Sequence, residues 1–276
     1  MTAFERDTGV RAIGEGLFEA RVDPSWRIVR GANGGHLAAT MLRAMATAVG
    51  DTERTPRTLT VHFVRAPDDR EVSIETHIER TGRTMSTVSA RMHQDDKLIP
   101  IGLSGFLTPR SGPEFCDIAM PDVPGPDGLE PLADRDDFPF GRHFDFRPAT
   151  GSRFVAPLQA VDASVDDPAE VAVWMRLREP QRLDHSAATQ LCDSFAPAVF
   201  MKLGAGGGGA GVPTIEMTYH YREMLPPEGA TDDDWYLGVF RTSLARGGFI
   251  EEDGWLWSRR GTLVAQSRQL AILEAR

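Results

Sequence analysis

Alternating apolar and polar positions run along most of the first 107 residues and predict β-strands. Within 58–64, Leu59, Val61 and Phe63 occupy every second position, as in a strand with one buried face. Comparable segments lie at 17–22, 71–79, 84–93 and 98–107, separated by turn signals at 81–83 and 94–97. Consecutive strands joined by short turns predict an antiparallel meander.

The segment 37–48 breaks this alternation. It is rich in Ala, Leu and Met, contains neither Pro nor Gly, and is apolar on all sides, which predicts a buried helix. Asn33 can cap its start, and the pair Gly34 and Gly35 allows the backbone there to approach another group closely. One helix followed by a meander is an α+β unit.

A second unit of the same kind follows. Strand-like segments lie at 142–147, 170–178, 215–221, 235–243, 249–258 and 262–273. Asp184 or Ser186 can cap a helix that runs from Ala187 to about Leu203. The best local match sets residues 59–63 against residues 217–221. The chain therefore reads as an internal duplication, with a first repeat at 1–108 and a second at 141–276.

Two stretches rich in proline or glycine interrupt the pattern. Between 109 and 140, prolines punctuate an acidic, apolar-poor segment, which predicts a linker between the repeats. The segment 204–211 has the glycine spacing of a dinucleotide-binding turn. It follows a predicted helix and precedes a strand, the reverse of a Rossmann turn, so we predict a loop there.

Composition narrows the class of protein. The 276 residues include 30 basic and 40 acidic side chains, a net charge of −10, which argues against a nucleic-acid-binding surface. Cys116 and Cys192 are too few for a disulfide scaffold and favour a reducing cytoplasm. We expect no signal peptide and no membrane span, because no apolar run approaches the roughly 20 residues of a membrane helix. The seven histidines are not at metal-ligand spacing, so we expect no metal.

Candidate chemistry concentrates in the second repeat. Asp193 lies among Leu191, Cys192 and Phe195, and this apolar setting predicts a buried carboxylate on the second helix, which is costly unless it has a partner or a role. Cys192 itself reads as a small buried residue rather than a nucleophile.

Two polar residues lie on predicted strands of the second repeat. Gln269 shares the face of Ala265 and Ala271 on the last strand, so its amide needs a partner. Strict alternation places Thr214 on the face opposite Met217, so it reaches the same site only if the strand bends or the site lies at the strand's end. The first repeat has no acidic residue on its helix and only Ser104 near the position equivalent to Gln269. One site per chain therefore fits better than two.

These features resemble a double hotdog protein, in which two helix-wrapped antiparallel sheets share one chain. The chain is similar to the TesB-like acyl-CoA thioesterases over about residues 14–273. The resemblance is strongest at 193–197, 214–221 and 261–269.

The resemblance implies hydrolysis of acyl-CoA thioesters to a free acid and CoA, an activity of lipid metabolism. It implies that Asp193, Thr214 and Gln269 hold the hydrolytic water. It further implies that they meet the helix start of the first repeat at Asn33, Gly34 and Gly35, where the family has His-Gly-Gly and this chain departs at Asn33. The family also implies a homodimer or higher oligomer and no metal or prosthetic group.

Two other functions compete with this interpretation. A non-catalytic protein that binds acyl-CoA or an acyl chain could keep the same pocket, and the altered residue Asn33 leaves that alternative open. A hotdog hydratase needs an Asp/His pair at a helix start and the loop after it. Asp184 and His185 are adjacent at the cap position, and nothing else matches, so a hydratase is disfavoured.

Overall fold

The structure is a computed structural model that describes residues 1–29, 31–150, 154–156, 159–160, 164, 166–203 and 212–273. The loop predicted at 204–211 lies outside the described residues. The α-helices are α1 (Ala3–Asp7), α2 (Gly34–Val49), α3 (His185–Leu191) and α4 (Phe200–Leu203). The strands are β1 (Arg11–Gly14), β2 (Leu17–Arg21), β3 (Arg27–Ile28), β4 (Gly31–Ala32), β5 (Thr55–Phe63), β6 (Glu71–Thr81), β7 (Met85–Gln94), β8 (Lys97–Leu107), β9 (Phe144–Pro148), β10 (Phe154–Ala156), β11 (Gln159–Ala160), β12 (Glu170–Leu177), β13 (Thr214–Tyr221), β14 (Tyr236–Arg241), β15 (Ala245–Arg246), β16 (Phe249–Ser258) and β17 (Leu263–Ile272).

One antiparallel sheet of 13 strands carries both repeats. Its strands follow the order β1-β2-β6-β7-β8-β5-β13-β17-β16-β14-β12-β9, with β15 paired to β16. The order reads symmetrically outward from the β5–β13 pair, since β8 and β17 flank that pair and β7 and β16 come next. The duplicated units therefore join edge to edge, and neither presents a free edge at the junction.

The junction preserves the register of the duplication. Thr60 pairs with Thr218, and their hydroxyl oxygens lie 2.9 Å apart. The two residues are 158 positions apart in the chain. This spacing is the offset at which the two strands match in sequence. Both strands also carry a bulge, between Pro56 and Thr58 in β5 and between Thr214 and Glu216 in β13.

The first predicted helix is confirmed. Helix α2 begins after Asn33, whose side chain accepts a hydrogen bond from the N–H of His36, and ends at Gly50 in the left-handed conformation. It packs against strands β5 to β8 and against α3. Its apolar residues belong to the main hydrophobic core, together with buried residues of the strands that it contacts.

The second helix differs from the prediction. Instead of one helix from Ala187 to Leu203, there are two short helices, α3 and α4, joined by turns at 192–199. Pro197 explains the break, because it has no N–H to offer the carbonyl of Asp193 four residues earlier. That carbonyl accepts a hydrogen bond from the Asn33 amide instead, at 2.8 Å. Asp193 therefore lies in a turn after the helix and not on the helix.

The proline-rich segment packs on the outer face of the second repeat. Trp174 donates from Nε1 to the carbonyl of Pro124 at 2.8 Å. Met120, Val123 and Leu129 lie against an apolar cluster that includes Trp174 and Trp257. This packing shields an aromatic surface from water. The division into 1–108, 109–140 and 141–276 stays a prediction.

Candidate active site

The start of α2 and the turn after α3 meet through a hydrogen-bond network around Asn33. Its Oδ1 accepts from the N–H of His36 at 3.0 Å and from Nε2 of Gln190 at 2.9 Å. Its Nδ2 donates to the carbonyl of Asp193 at 2.8 Å and to Oδ2 of the same residue at 3.1 Å. The N–H of Gly35 donates to the same Oδ2 at 2.6 Å. The carboxylate thus lies at the positive end of the α2 dipole.

The two glycines are required by this close approach. A Cβ on residue 35 would lie 2.8 Å from Cβ of Asp193, and one on residue 34 would lie 3.1 Å from Oδ2 of Asp193 and from the ring of Phe63. Among the described residues, the N–H of Gly34 donates no hydrogen bond, whereas that of Gly35 is engaged by Asp193. Only the first of the two remains available to a ligand.

Burial changes the proton affinity of Asp193. It raises the pKa of this carboxyl to about 6, against the opposing effect of the hydrogen bonds from Gly35 and Asn33. The fully buried phenol of Tyr219 has its pKa raised by its own burial and by the charge of Asp193. A carboxylate with a pKa near neutrality can accept and return a proton at physiological pH.

Thr214 and Gln269 form the second part of the candidate site. The hydroxyl of Thr214 donates to Oε1 of Gln269 at 2.8 Å. The bulge in β13 after Thr214 supplies the bend that strict alternation lacked, because it turns the side chain toward β17. Nε2 of Gln269 donates to Oε1 of Glu252 at 3.0 Å.

Glu252 also belongs to the candidate site, although the sequence pattern did not single it out. Its side chain is buried, and its Oε2 accepts from the N–H of Ala198 at 2.6 Å. Burial raises its pKa to about 7, and the charge of Asp193 adds to the increase. A signal was present, since Glu252 shares the inward face of β16 with the buried Ile250 and Leu256.

The structure therefore brings the predicted residues together as two groups. Asp193 bonds to Asn33 and Gly35, whereas Thr214 bonds to Gln269. Among the described residues, Asp193 forms no hydrogen bond with Thr214 or Gln269. Glu252 connects the groups, because it binds Gln269 on one side and the segment that follows Asp193 on the other.

The first repeat lacks this chemistry at the equivalent places. Ser104 pairs with Leu59 as Gln269 pairs with Met217, and its hydroxyl donates to a backbone carbonyl. Pro56 and Val88 occupy the positions equivalent to Thr214 and Glu252. The sheet accommodates apolar residues there, so the polar set is not a requirement of the fold.

The second helix start is closed by an ion pair. Asp184 caps α3 as Asn33 caps α2, and Arg43 approaches it with Nη2 3.1 Å from Oδ2. The Nε of Arg43 also donates to the hydroxyl of Thr8 at 2.8 Å. The start of α2 thus holds the carboxylate of Asp193 with its raised pKa, whereas the start of α3 holds the ion pair of Asp184 and Arg43.

Two helix-wrapped antiparallel repeats joined through one sheet define a double hotdog protein of the α+β class, as the sequence predicted. Residues 22–107 match the acyl-CoA thioesterase N-terminal domain, and residues 120–273 match the acyl-CoA thioesterase C-terminal domain. The chain belongs to the acyl-CoA thioesterase family.

Known proteins of this fold resemble the whole chain. A conserved protein of unknown function with a hot dog fold from Alicyclobacillus acidocaldarius is 28% identical, with a TM-score of 0.85 over 100% of this chain and 99% of that one. An acyl-CoA thioesterase II from Mycobacterium marinum is 19% identical, with a TM-score of 0.72 over 100% of this chain and 98% of that one, a likeness of fold. An uncharacterized protein of Mycobacterium tuberculosis is 25% identical over 94% of this chain and 91% of its own length.

No described helix is both long and apolar enough to cross a membrane.

The two cysteines are unpaired, Cys116 at the surface and Cys192 buried. Burial raises the pKa of the Cys192 thiol to about 12, so this thiol stays protonated and unreactive at neutral pH.

Proposed function

We propose that this protein hydrolyses acyl-CoA thioesters to a free acid and CoA through a water held by Asp193, Thr214 and Gln269. The observation that carries the proposal is the carboxylate of Asp193, held at the start of α2 with a pKa of about 6. A buried carboxylate at a helix start is positioned to act as a general base without any covalent nucleophile.

The reaction follows from these positions. Asp193 takes one proton from the water as the water oxygen bonds to the thioester carbon. The carbonyl oxygen becomes an oxyanion, to which the N–H of Gly34 can donate at the positive end of α2. The oxyanion then re-forms its double bond, the carbon–sulfur bond breaks, and the departing thiolate takes the proton from Asp193. The products are the acid and the thiol of CoA, and Asp193 returns to its starting state.

Thr214 and Gln269 act on the same water in this scheme. Their side chains are joined by a 2.8 Å hydrogen bond on neighbouring strands, so both are held in fixed orientations. The hydroxyl can accept a hydrogen bond from one O–H of the water while Asp193 accepts from the other, which directs a lone pair of the water toward the carbonyl carbon. The register-equivalent Pro56 and Ser104 could not form this pair, so one site per chain is proposed.

The cellular setting is part of the proposal. The unpaired cysteines support a reducing cytoplasm. Family membership supports acyl-CoA as the substrate and a homodimer or larger homo-oligomer as the working form, which sedimentation of the purified protein would test.

The deciding experiment is thiol release from a panel of acyl-CoAs, short, long and aromatic, with wild type beside Asp193→Asn. We expect turnover of at least one member, and a loss of roughly 100-fold or more in kcat in a variant that stays folded. Turnover that Asp193→Asn leaves unchanged would overturn the assignment of the base. Binding of acyl-CoA without turnover of any member would establish the non-catalytic binding protein instead.

A further inference from the structure

The carboxylate of Glu252 has no counterpart in the first repeat. It pairs with Gln269 across β16 and β17, and Val88 pairs with Ser104 at the equivalent register in β7 and β8. Val88 is fully buried, so an apolar side chain serves the fold at this place. A buried carboxylate is costly to keep, so its presence in one repeat alone calls for a role.

Both oxygens of Glu252 accept hydrogen bonds from groups of the candidate site. Oε2 accepts from the N–H of Ala198, in the turns that follow Asp193, and Oε1 accepts from Nε2 of Gln269. An ionised carboxylate can accept in both places, but it cannot donate in either. The amide of Gln269 must therefore turn its nitrogen toward Glu252 and its oxygen toward Thr214.

This orientation decides the direction of the next hydrogen bond. Oε1 of Gln269 is an acceptor only, so the hydroxyl of Thr214 must donate to it across the 2.8 Å that separate the two oxygens. The hydroxyl hydrogen of Thr214 is then used in the bond to Gln269, and the lone pairs of its oxygen can accept a hydrogen bond from a water. If the amide were reversed, Gln269 would donate to Thr214 and the hydroxyl proton would be free to point at the water.

We propose that Glu252 is a positioning residue of the hydrolytic site, which fixes the amide of Gln269 and thereby makes Thr214 an acceptor toward the attacking water. This inference rests on the proposed function. Glu252 touches neither the water nor the substrate in this scheme and acts through two intermediate side chains. It also ties the strand pair that carries Thr214 and Gln269 to the segment that carries Asp193.

The charge state of Glu252 supports the same role. Burial raises its pKa to about 7, Asp193 and Glu251 raise it further, and the hydrogen bonds from Ala198 and Gln269 oppose the rise. A protonated Glu252 has one O–H, so one of its oxygens becomes a weaker acceptor and the hydrogen bonds from Ala198 and Gln269 are no longer both strong. Turnover should therefore fall as Glu252 takes up its proton, together with the proton uptake of Asp193.

An exchange of the two side chains tests the hydrogen-bond directions. In Glu252→Gln, the oxygen of the new amide must face the N–H of Ala198 to accept its hydrogen bond, so the nitrogen of the new amide faces Gln269. Gln269 must then reverse its own amide to offer an oxygen. In Gln269→Glu alone, two carboxylates face each other. In the double variant, the amide introduced at position 252 would accept from Ala198 and donate to the carboxylate introduced at position 269. That carboxylate would accept from Thr214. The hydrogen bonds from Ala198 and from Thr214 would then run in the same direction as in the wild type.

We expect Glu252→Gln to lower kcat about tenfold or more while KM stays within about threefold, and to remove one group from the pH profile of kcat. The double variant should exceed both single variants in kcat by about fivefold or more. A double variant no better than Glu252→Gln, or a Glu252→Gln enzyme as fast as wild type, would overturn the proposal. Thermal unfolding of each variant separates a loss of positioning from a loss of fold.

Two controls keep this inference distinct from the proposed function. A wild type that turns over no member of the panel overturns the proposed function. An Asp193→Asn enzyme as fast as wild type overturns the assignment of the base. This inference fails in both cases. The side-chain amide signal of Gln269 in a ¹⁵N–¹H spectrum, assigned by its loss in Gln269→Glu, tests the bond without turnover. It should move upfield in Glu252→Val, which copies Val88 of the first repeat, and an unmoved signal would mean that Glu252 does not hold this amide.

Discussion

The carboxylate of Asp193 accepts a hydrogen bond from the N–H of Gly35 at 2.6 Å, although 158 positions of chain separate the two residues. This contact brings the second repeat to the helix start of the first. It places a group with a pKa of about 6 at the positive end of α2. The acidity of a residue in one repeat thus depends on the helix of the other.

Gly35→Ala should push the turn that carries Asp193 away from the start of α2 and disable the site. The added Cβ would lie 2.8 Å from Cβ of Asp193 and 3.1 Å from Oδ1 of Asn33, so the carboxylate must move. We expect a loss of roughly 100-fold in kcat/KM, since a displacement of about 1 Å can have that effect. Gly112→Ala is the matched control, because nothing lies within 4 Å of its added Cβ. Equal thiol release by both variants would contradict the prediction.

Asn33→Asp should move the pH dependence of the reaction. The new carboxylate can still cap α2, but it replaces the amide donor of Asn33 with a negative charge beside Asp193. The pKa of Asp193, already near 6, should rise further. Because the base acts when deprotonated, kcat/KM should fall at about pH 6 to 7 and recover at about pH 9. A profile that coincides with that of wild type would show that Asn33 does not influence the base.

Arg43→Met should affect stability and leave catalysis intact. The variant loses the ion pair with Asp184 and the hydrogen bond to Thr8, both only partly buried, so we expect about 1 kcal/mol less free energy of unfolding. Urea unfolding measures this loss. If kcat/KM also fell about tenfold or more, the helix start of the second repeat would have to take part in the reaction.

His36→Phe should make the protein less sensitive to acid. His36 stacks on Trp26 with ring centroids 4.5 Å apart, and Trp26 also stacks on His143, with ring centroids 3.8 Å apart. Both nitrogens of His36 are buried without a hydrogen-bond partner among the described residues, and burial lowers its pKa to about 3, with the charge of His143 adding to the decrease.

The sign of this effect follows from proton binding. The unfolded chain protonates His36 near pH 6.5 and the folded chain only near pH 3, so this residue favours folding above pH 6.5 and loses that contribution as the pH falls. Between about pH 6.5 and 5, the loss amounts to roughly 2 kcal/mol. Asp193 and Glu252 have raised pKa values and act in the opposite direction, but they are present in both proteins. If the free energy of unfolding falls by the same amount between pH 6.5 and 5 in wild type and in His36→Phe, the assignment to His36 is refuted.

Local pattern was sufficient for much of the fold. The period of two along β5, β7, β8, β16 and β17, and the unbroken apolar run of α2 with its Asn33 cap, express preferences of neighbouring residues. The match of 59–63 to 217–221 revealed the duplication, and the same two segments turn out to pair directly with each other.

Long-range contacts decided what the pattern left open. The second helix stops early because the carbonyl of Asp193 finds a donor in Asn33, and Pro197 cannot supply one. The bulge in β13 brings Thr214 to Gln269, which alternation alone had placed on separate faces.

Pattern along the chain predicted the longer strands, the first helix and the duplication, but not short strands such as β1 and β15. The family resemblance added Asp193, Thr214 and Gln269 as candidates. Three contacts became visible only in the folded chain: Glu252 with Gln269, Gly35 with Asp193, and Arg43 with Asp184. The difference lies in how far along the chain each kind of interaction reaches. Periodicity and capping depend on residues a few positions apart, whereas the proton affinity of a carboxylate depends on burial and on partners that the fold brings from distant parts of the chain.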